Sequence, residues 1–123
     1  MRKIIIPFCI LLLAACYSDK EDQLYTAPST GTGCDTANIS FATHIQPIMN
    51  QYCAISGCHD AVTKSFTHDL SSYAGVKSSA ERGRFLPSIK HESTYLPMPK
   101  GMAKLGDCEI TKITAWINAG MPQ

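Results

Sequence analysis

Apolar residues recur at helical spacing in three stretches of the chain, and these stretches predict three helices. They cover residues 39–52, 71–82 and 107–119, where hydrophobic side chains three or four positions apart share one face. A shorter apolar run at residues 85–89 shows no such repeat and predicts an extended segment. The residues between these elements are polar or favour turns. The pattern therefore predicts a small all-α domain with long loops.

Capping residues predict where these helices begin. Ser40 is the expected N-cap of the first helix, and Ser71 or Ser72 that of the second. Asp107 is expected to cap the third helix, which Gly120 closes. Pro47 lies inside the first stretch, so that helix either kinks there or begins its regular part there, where a missing N–H is tolerated.

The N-terminal residues follow a different pattern, that of an exported lipoprotein. In residues 1–15 two basic residues precede an apolar run that is too short for a lasting membrane span, which is typical of a signal peptide. The run ends in Leu-Ala-Ala-Cys, which resembles the bacterial lipobox and predicts cleavage before Cys16 and lipidation of its thiol. Residues 16–33 are polar and turn-rich, so we expect a lipidated N-terminus followed by a flexible linker.

One folded domain, residues 34–123, remains after this anchor, and it is too short for a second core. A net charge of +1 for the chain argues against a nucleic-acid partner. We expect the domain to be held at the cell envelope, most simply at the outer membrane, and to face the periplasm or the cell surface.

The segment Cys-Ala-Ile-Ser-Gly-Cys-His, residues 53–59, carries the candidate chemistry. Two thiols with a histidine directly after the second are the arrangement that attaches haem c: Cys53 and Cys58 bond the porphyrin, and His59 binds its iron. Four residues separate the cysteines here, whereas two are usual. The longer connection has to bulge outward, and Ser56 and Gly57 suit a bulge because glycine adopts positive φ at little cost.

Two other interpretations of this segment remain open at the level of sequence. Cys53 and Cys58 could close a small disulfide loop. They could also form part of a zinc site with His59 and either His68 or His44. The default expectation for His44 and His68 is a surface or loop histidine.

Met98 lies between Pro97 and Pro99 in a loop that cannot become helical. Such a loop presents the thioether from a stiff backbone, as the sixth ligand of a haem iron requires. Given haem, we expect Met98 to be that ligand. The reserve candidates, in order, are Met102, His91 and Met121.

Each cysteine of an exported domain is expected to be bonded. If haem takes Cys53 and Cys58, then Cys34 and Cys108 are left as a natural pair at the two ends of the domain. Closing so long a loop contributes roughly 4 kcal/mol by the chain-entropy relation.

These features, in this order, resemble a class I cytochrome c domain. A helix leads into Cys-x4-Cys-His, a loop carries Met-Pro, and a closing helix reads EITKITAWINAG. More narrowly, the segments resemble the haem-binding lipoproteins of Bacteroidetes, and the resemblance spans residues 41–121. It implies an all-α, cytochrome c-like fold of about three helices around one covalent haem c, attached at Cys53 and Cys58, with His59 and Met98 as the axial ligands of the iron.

The resemblance implies a membrane-anchored monohaem c-type cytochrome that carries electrons between redox proteins of the cell envelope and is not itself an enzyme. The alternatives are a haem-containing enzyme subunit, peroxidase-like or gas-binding, and a haem-free structural lipoprotein with a zinc or disulfide site. A domain this short is expected to have little core of its own. The side chains expected to pack on the haem are Tyr52, Phe66, Tyr73, Phe85, Leu86, Leu96 and Trp116.

Overall fold

The structure is a computed structural model that describes residues 34–123. Its elements in order are a π-helical turn (Phe41–Ile45), α1 (Gln46–Tyr52), a 3₁₀ turn (Ser65–Thr67), α2 (Tyr73–Glu81), α3 (Phe85–Ile89) and α4 (Asp107–Asn118). No strand occurs in this part of the chain. The prediction of an all-α domain is therefore confirmed over these residues.

The first predicted helix consists of two parts, and Pro47 explains where the second begins. Pro47 lies in the first turn of α1, where the missing N–H has no helical partner to lose. Ser40 occupies the predicted N-cap position of the π-helical turn, but its side chain makes no capping hydrogen bond. Its backbone N–H instead donates to Nδ1 of His44, at 3.2 Å.

The second predicted helix is confirmed as α2. The hydroxyl of Ser72 accepts a hydrogen bond from the N–H of Gly75 and caps the first turn. Gly83 follows the helix at φ +73°, a conformation that glycine adopts readily.

The prediction of an extended segment at residues 85–89 is wrong, since Phe85–Ile89 is the short helix α3. Its apolar run is too short to display a helical repeat. Pro87 is compatible with the first helical turn, whose N–H groups have no intrahelical partner. The N–H of Ser88 donates to the carbonyl of Arg84 at 3.1 Å.

The closing helix α4 begins one residue earlier than a cap at Asp107 predicts. Its N-cap is Gly106, and Asp107 is the first residue of the helix. The Asp107 carboxylate is still favourable there, because the N-terminal turn carries positive partial charge. A disulfide joins Cys108 to Cys34 with the sulfurs 2.02 Å apart, in agreement with the predicted pair.

An aromatic cluster lies at the centre of the domain. The rings of Phe41 and Tyr73 lie 5.3 Å apart and those of Phe41 and Trp116 lie 5.9 Å apart, between centroids. Nε1 of Trp116 donates to the carbonyl of Pro122 at 2.7 Å, and the hydroxyl of Tyr73 donates to the carbonyl of Met121 at 2.8 Å. These bonds fasten the C-terminal residues to the cluster.

The domain thus has a core of protein side chains, contrary to the expectation of little core. Its buried hydrophobic residues are Ile39, Phe41, Ile45, Ile48, Met49, Leu70, Val76, Ile89, Leu105, Ile110, Ile113 and Trp116. Trp116 is fully buried, so the expectation that it packs on haem is wrong. No helix within residues 34–123 is both long and apolar enough to cross a membrane.

Candidate haem site

The segment between Cys53 and Cys58, the two free cysteines of the described residues, is a closed turn. Helix α1 ends at Tyr52 and places Cys53 directly after it. The N–H of His59 donates to the carbonyl of Cys53 at 3.1 Å, and that of Cys58 donates to the carbonyl of Ile55 at 3.0 Å. The first of these hydrogen bonds brings the backbone of His59 back to Cys53 despite the longer connection.

The predicted bulge is present, and Asp60 holds its shape. Ser56 and Gly57 are exposed, and Gly57 has φ +83°. One carboxylate oxygen of Asp60 accepts from the N–H of Gly57 at 3.1 Å, and the other accepts from the N–H groups of Val62 and Thr63 at 2.8 and 2.9 Å. The pKa of Asp60 is lowered to about 2. The largest cause is the hydrogen bond from the backbone N–H of Thr63, followed by the hydrogen bond from the Thr63 side chain.

Cys53 and Cys58 are both half-buried free thiols. Their sulfurs are not joined, so the small disulfide loop is not formed in this structure. Burial raises the pKa of the Cys53 thiol to about 12, and the nearby Cys58 adds to this effect. A thiol-exchange site needs the opposite shift, because the thiolate is the nucleophile.

His59 is held in the tautomer that can bind a metal ion. Its Nδ1 lies 3.2 Å from the carbonyl oxygen of His68. A carbonyl can only accept, so Nδ1 carries the proton and Nε2 of the neutral ring keeps its lone pair. The N–H of Leu70 donates to the carbonyl of His59 at 2.8 Å. The segment 68–70 thereby fixes both the ring and the backbone of His59, as a second coordination shell does for a metal ligand.

His68 is not a free loop histidine. Its Nδ1 lies 3.0 Å from the hydroxyl of Ser79, a buried residue of α2. Its ring stands edge-on to that of His59, with the centroids 6.0 Å apart. Desolvation lowers the pKa of His68, and the charges of Arg82 and His59 lower it further.

The side chains required by the zinc interpretation are not brought together. Within residues 34–123 no three His, Cys, Asp or Glu side chains converge on a point where a metal ion could lie. His44 accepts a hydrogen bond from the backbone of Ser40, so its role is local.

Met98 is tied to the end of α3 through its backbone. Its N–H donates to the carbonyl of Ser88 at 3.0 Å, and its carbonyl oxygen lies 3.1 Å from Nε2 of His91. The Met98 side chain is half-buried and packs against the hydrophobic core, as Cys53 does. Pro99 is buried beside it, and the peptide bond that joins the two residues is cis.

The reserve candidates for the sixth ligand are less well suited. The Met102 side chain is 51% exposed. The ring of His91 is already bound to the carbonyl of Met98. The backbone of Met121 is bound by both Tyr73 and Trp116, which places this residue in the C-terminal tail.

The exposed large hydrophobic side chains of the described residues lie in only two segments. Each segment is close in sequence to a predicted ligand: segment 62–66 follows His59, and segment 95–102 contains Met98. Phe66 is 78% exposed and Leu96 is 51% exposed, although both are large and apolar. The other members of the set are Val62, Tyr95 and Met102. Each predicted ligand therefore has exposed apolar side chains close to it in sequence, as a segment that binds a haem would.

Sequence reasoning missed the partners of the two predicted ligands. Ser79 was not a candidate, and His68 and His91 were considered only as possible ligands themselves. No pattern in a single sequence marks these bonds, because they join residues brought together by folding. The chain matches no protein-family model, no curated protein and no solved structure. The resemblance to cytochromes therefore rests on the residues alone.

Proposed function

We propose that this protein is a membrane-anchored monohaem c-type cytochrome that carries electrons between redox proteins of the cell envelope. The observation that carries the proposal is the state of residues 53–59: two free thiols are followed directly by His59, whose Nε2 lone pair is available. This is the set of groups that covalent haem attachment and axial ligation require.

Cys53 and Cys58 would hold the cofactor. Each thiol would add across one vinyl group of the porphyrin, with the sulfur bonding to one carbon and the hydrogen passing to the other, so that no oxidant is consumed. The closed turn between the cysteines supports this role, because the extra residues project into solvent at Ser56 and Gly57. The additional length therefore need not displace His59.

His59 and Met98 would occupy the two axial positions. A bound haem supplies reversible one-electron chemistry between ferric and ferrous iron. His59 would supply an imidazole and Met98 a thioether to the iron, and this pair of ligands would raise the reduction potential. With both ligands supplied by the protein, no coordination site would be open to a substrate. This arrangement favours an electron carrier over an enzyme.

The exposed apolar side chains support the same proposal. Phe66 and Leu96 are largely exposed, and burying a large apolar side chain stabilises a protein by about 1.5–3 kcal/mol. Covering this set with an apolar porphyrin would supply several such contributions.

The membrane anchor remains part of the proposal. The signal peptide at 1–15, the lipidated Cys16 and the linker that continues to residue 33 lie outside the described residues. We expect a lipid at Cys16 to keep the domain at the cell envelope, where other redox proteins are its partners.

Carbon monoxide binding to the reduced protein tests the carrier against a gas-binding or peroxidase-like enzyme. We expect the full-length wild-type protein to show a reversible one-electron optical transition and no carbon monoxide binding. Met98→Ala should open the sixth position and bind carbon monoxide. Met102→Ala, the matched control on the same loop, should behave as wild type. Carbon monoxide binding by the wild type would favour the enzyme, and binding by Met102→Ala alone would show that the ligand is Met102.

A further inference from the structure

His91 ends α3 in a conformation that normally calls for glycine. Its φ is +57°, in the left-handed region that is costly for a residue with a Cβ. Its N–H donates to the carbonyl of Ser88 at 3.2 Å, and the N–H of Glu92 donates to the carbonyl of Pro87 at 3.0 Å. This pair of bonds is a Schellman motif, whose left-handed position is usually glycine. The turn itself gains nothing from an imidazole.

The imidazole has a second role, directed at the Met98 loop. Nε2 of His91 lies 3.1 Å from the carbonyl oxygen of Met98. Because that oxygen can only accept, the imidazole donates this hydrogen bond. The N–H of Met98 donates to the carbonyl of Ser88, the same group that His91 uses to close its turn. Both backbone polar groups of Met98 are therefore bound to the end of α3.

Few other hydrogen bonds restrain this loop. In the described structure, the backbone N–H of Met98 makes the one long-range bond among the backbone N–H groups of residues 93–103. The other backbone N–H bonds of this segment are local. They are the bonds from Tyr95 to the carbonyl of Glu92 and from Met102 to the carbonyl of Pro99. The His91 bond thus has a large share in fixing the position of Met98.

We propose that His91 is a positioning residue that holds the main chain of Met98 so that its thioether stays bound to the haem iron. This inference rests on the proposed function. Glycine at this position would relieve the backbone strain but could not donate the hydrogen bond. Strain retained where a side chain supports a functional group is consistent with such a role.

The test uses the full-length haem-loaded protein and four variants. His91→Gly removes both the strain and the donor. His91→Asn tolerates the left-handed conformation, but its amide is too short to reach the carbonyl. His91→Gln places an amide nitrogen close to the position of imidazole Nε2 and should restore the bond. Asn38→Gly is the matched control, because Asn38 is also left-handed, at φ +51°, and has no bond to the Met98 loop.

Methionine ligation is read from the long-wavelength absorption band of the oxidised protein that marks an iron–methionine bond. The loss of this absorption band on heating is compared with global unfolding measured by circular dichroism. We expect His91→Gly and His91→Asn to remain folded with haem attached, while methionine release becomes about five- to tenfold more favourable, the effect of losing one hydrogen bond. His91→Gln and Asn38→Gly should match the wild type.

The results that would contradict the inference can be told apart from the result that would contradict the proposed function. If His91→Gly keeps the band up to the wild-type temperature, His91 only closes the turn and the inference is overturned. A haem-loaded wild type without the band would also overturn it, because Met98 would then not be the ligand. A wild type whose mass shows no haem would overturn the proposed function itself.

Discussion

Replacing Gly75 by alanine should destabilise the domain, although alanine is the better helix former. Gly75 lies in the first turn of α2, with its Cα directly against the carbonyl of Asp69. A Cβ there would overlap the Asp69 carbonyl oxygen, lie 2.9 Å from the carbonyl carbon, and lie 3.2 Å from the Ser72 hydroxyl. The obstructing atoms belong mainly to the backbone, so rotation of a side chain cannot make room.

The magnitude follows from one stabilising effect and several destabilising effects. Glycine to alanine in a helix gains about 1 kcal/mol of stability. Overpacking against backbone costs typically about 1–3 kcal/mol and occasionally more. Moving the Asp69 carbonyl also disturbs the Ser72 cap, worth about 1 kcal/mol. It disturbs two neighbouring hydrogen bonds as well, from Nδ1 of His59 to the carbonyl of His68 and from the N–H of Leu70 to the carbonyl of His59, worth about 1 kcal/mol each. The net expectation is a loss of about 3–5 kcal/mol.

Urea denaturation of the full-length protein, followed by circular dichroism, measures this loss. Ser78→Ala is the matched control, because Ser78 is exposed on the same helix and its replacement should change stability by less than about 0.5 kcal/mol. A Gly75→Ala variant as stable as the wild type would refute the reasoning, since the Asp69 carbonyl could not then lie against Gly75.

Two further outcomes follow from the described contacts. Replacing Cys34 and Cys108 together by serine opens a loop closed across 74 residues. This change should lower the free energy of unfolding, measured by urea denaturation, by about 4 kcal/mol. An unchanged midpoint would show that the disulfide is absent in solution. The folded pKa of Asp60, about 2, lies below its ordinary value of 3.8, so its stabilising contribution is present above about pH 4 and is lost as the pH falls towards 2. Asp60→Asn should therefore make the urea midpoint less dependent on pH between about 2 and 4, whereas an unaltered pH dependence would contradict the role given to this carboxylate.

The parts of the fold that could be predicted from sequence are those with local signals. Helix α4 shows a long apolar stripe, and α2 has a serine cap and a closing glycine, so both were located to within one or two residues. The five residues of α3 are too few to show a period. The π-helical turn and the hydrogen bond from the Ser40 N–H to His44 have no sequence signal. The core was underestimated because the cluster of Phe41, Tyr73 and Trp116 depends on three distant segments.

The candidate site divides in the same way. The spacing of Cys53, Cys58 and His59 can be read directly from the sequence, and Gly57 has the predicted positive φ. The groups that orient the predicted ligands cannot be read from the sequence. His68 and His91 contact His59 and Met98 through hydrogen bonds that form only on folding. Composition can suggest a ligand, whereas its tautomer and its support have to be read from the structure.

The mass of the intact protein tests the central claim most directly. The full-length chain should be exported in a host with the machinery for c-type cytochrome maturation, then purified and denatured, and its mass measured by mass spectrometry. We expect a mass increment of one haem that survives denaturation. Replacing both Cys53 and Cys58 by serine should abolish it, and His44→Gln should leave it unchanged. A folded wild-type protein from such a host that carries no added porphyrin would contradict the account.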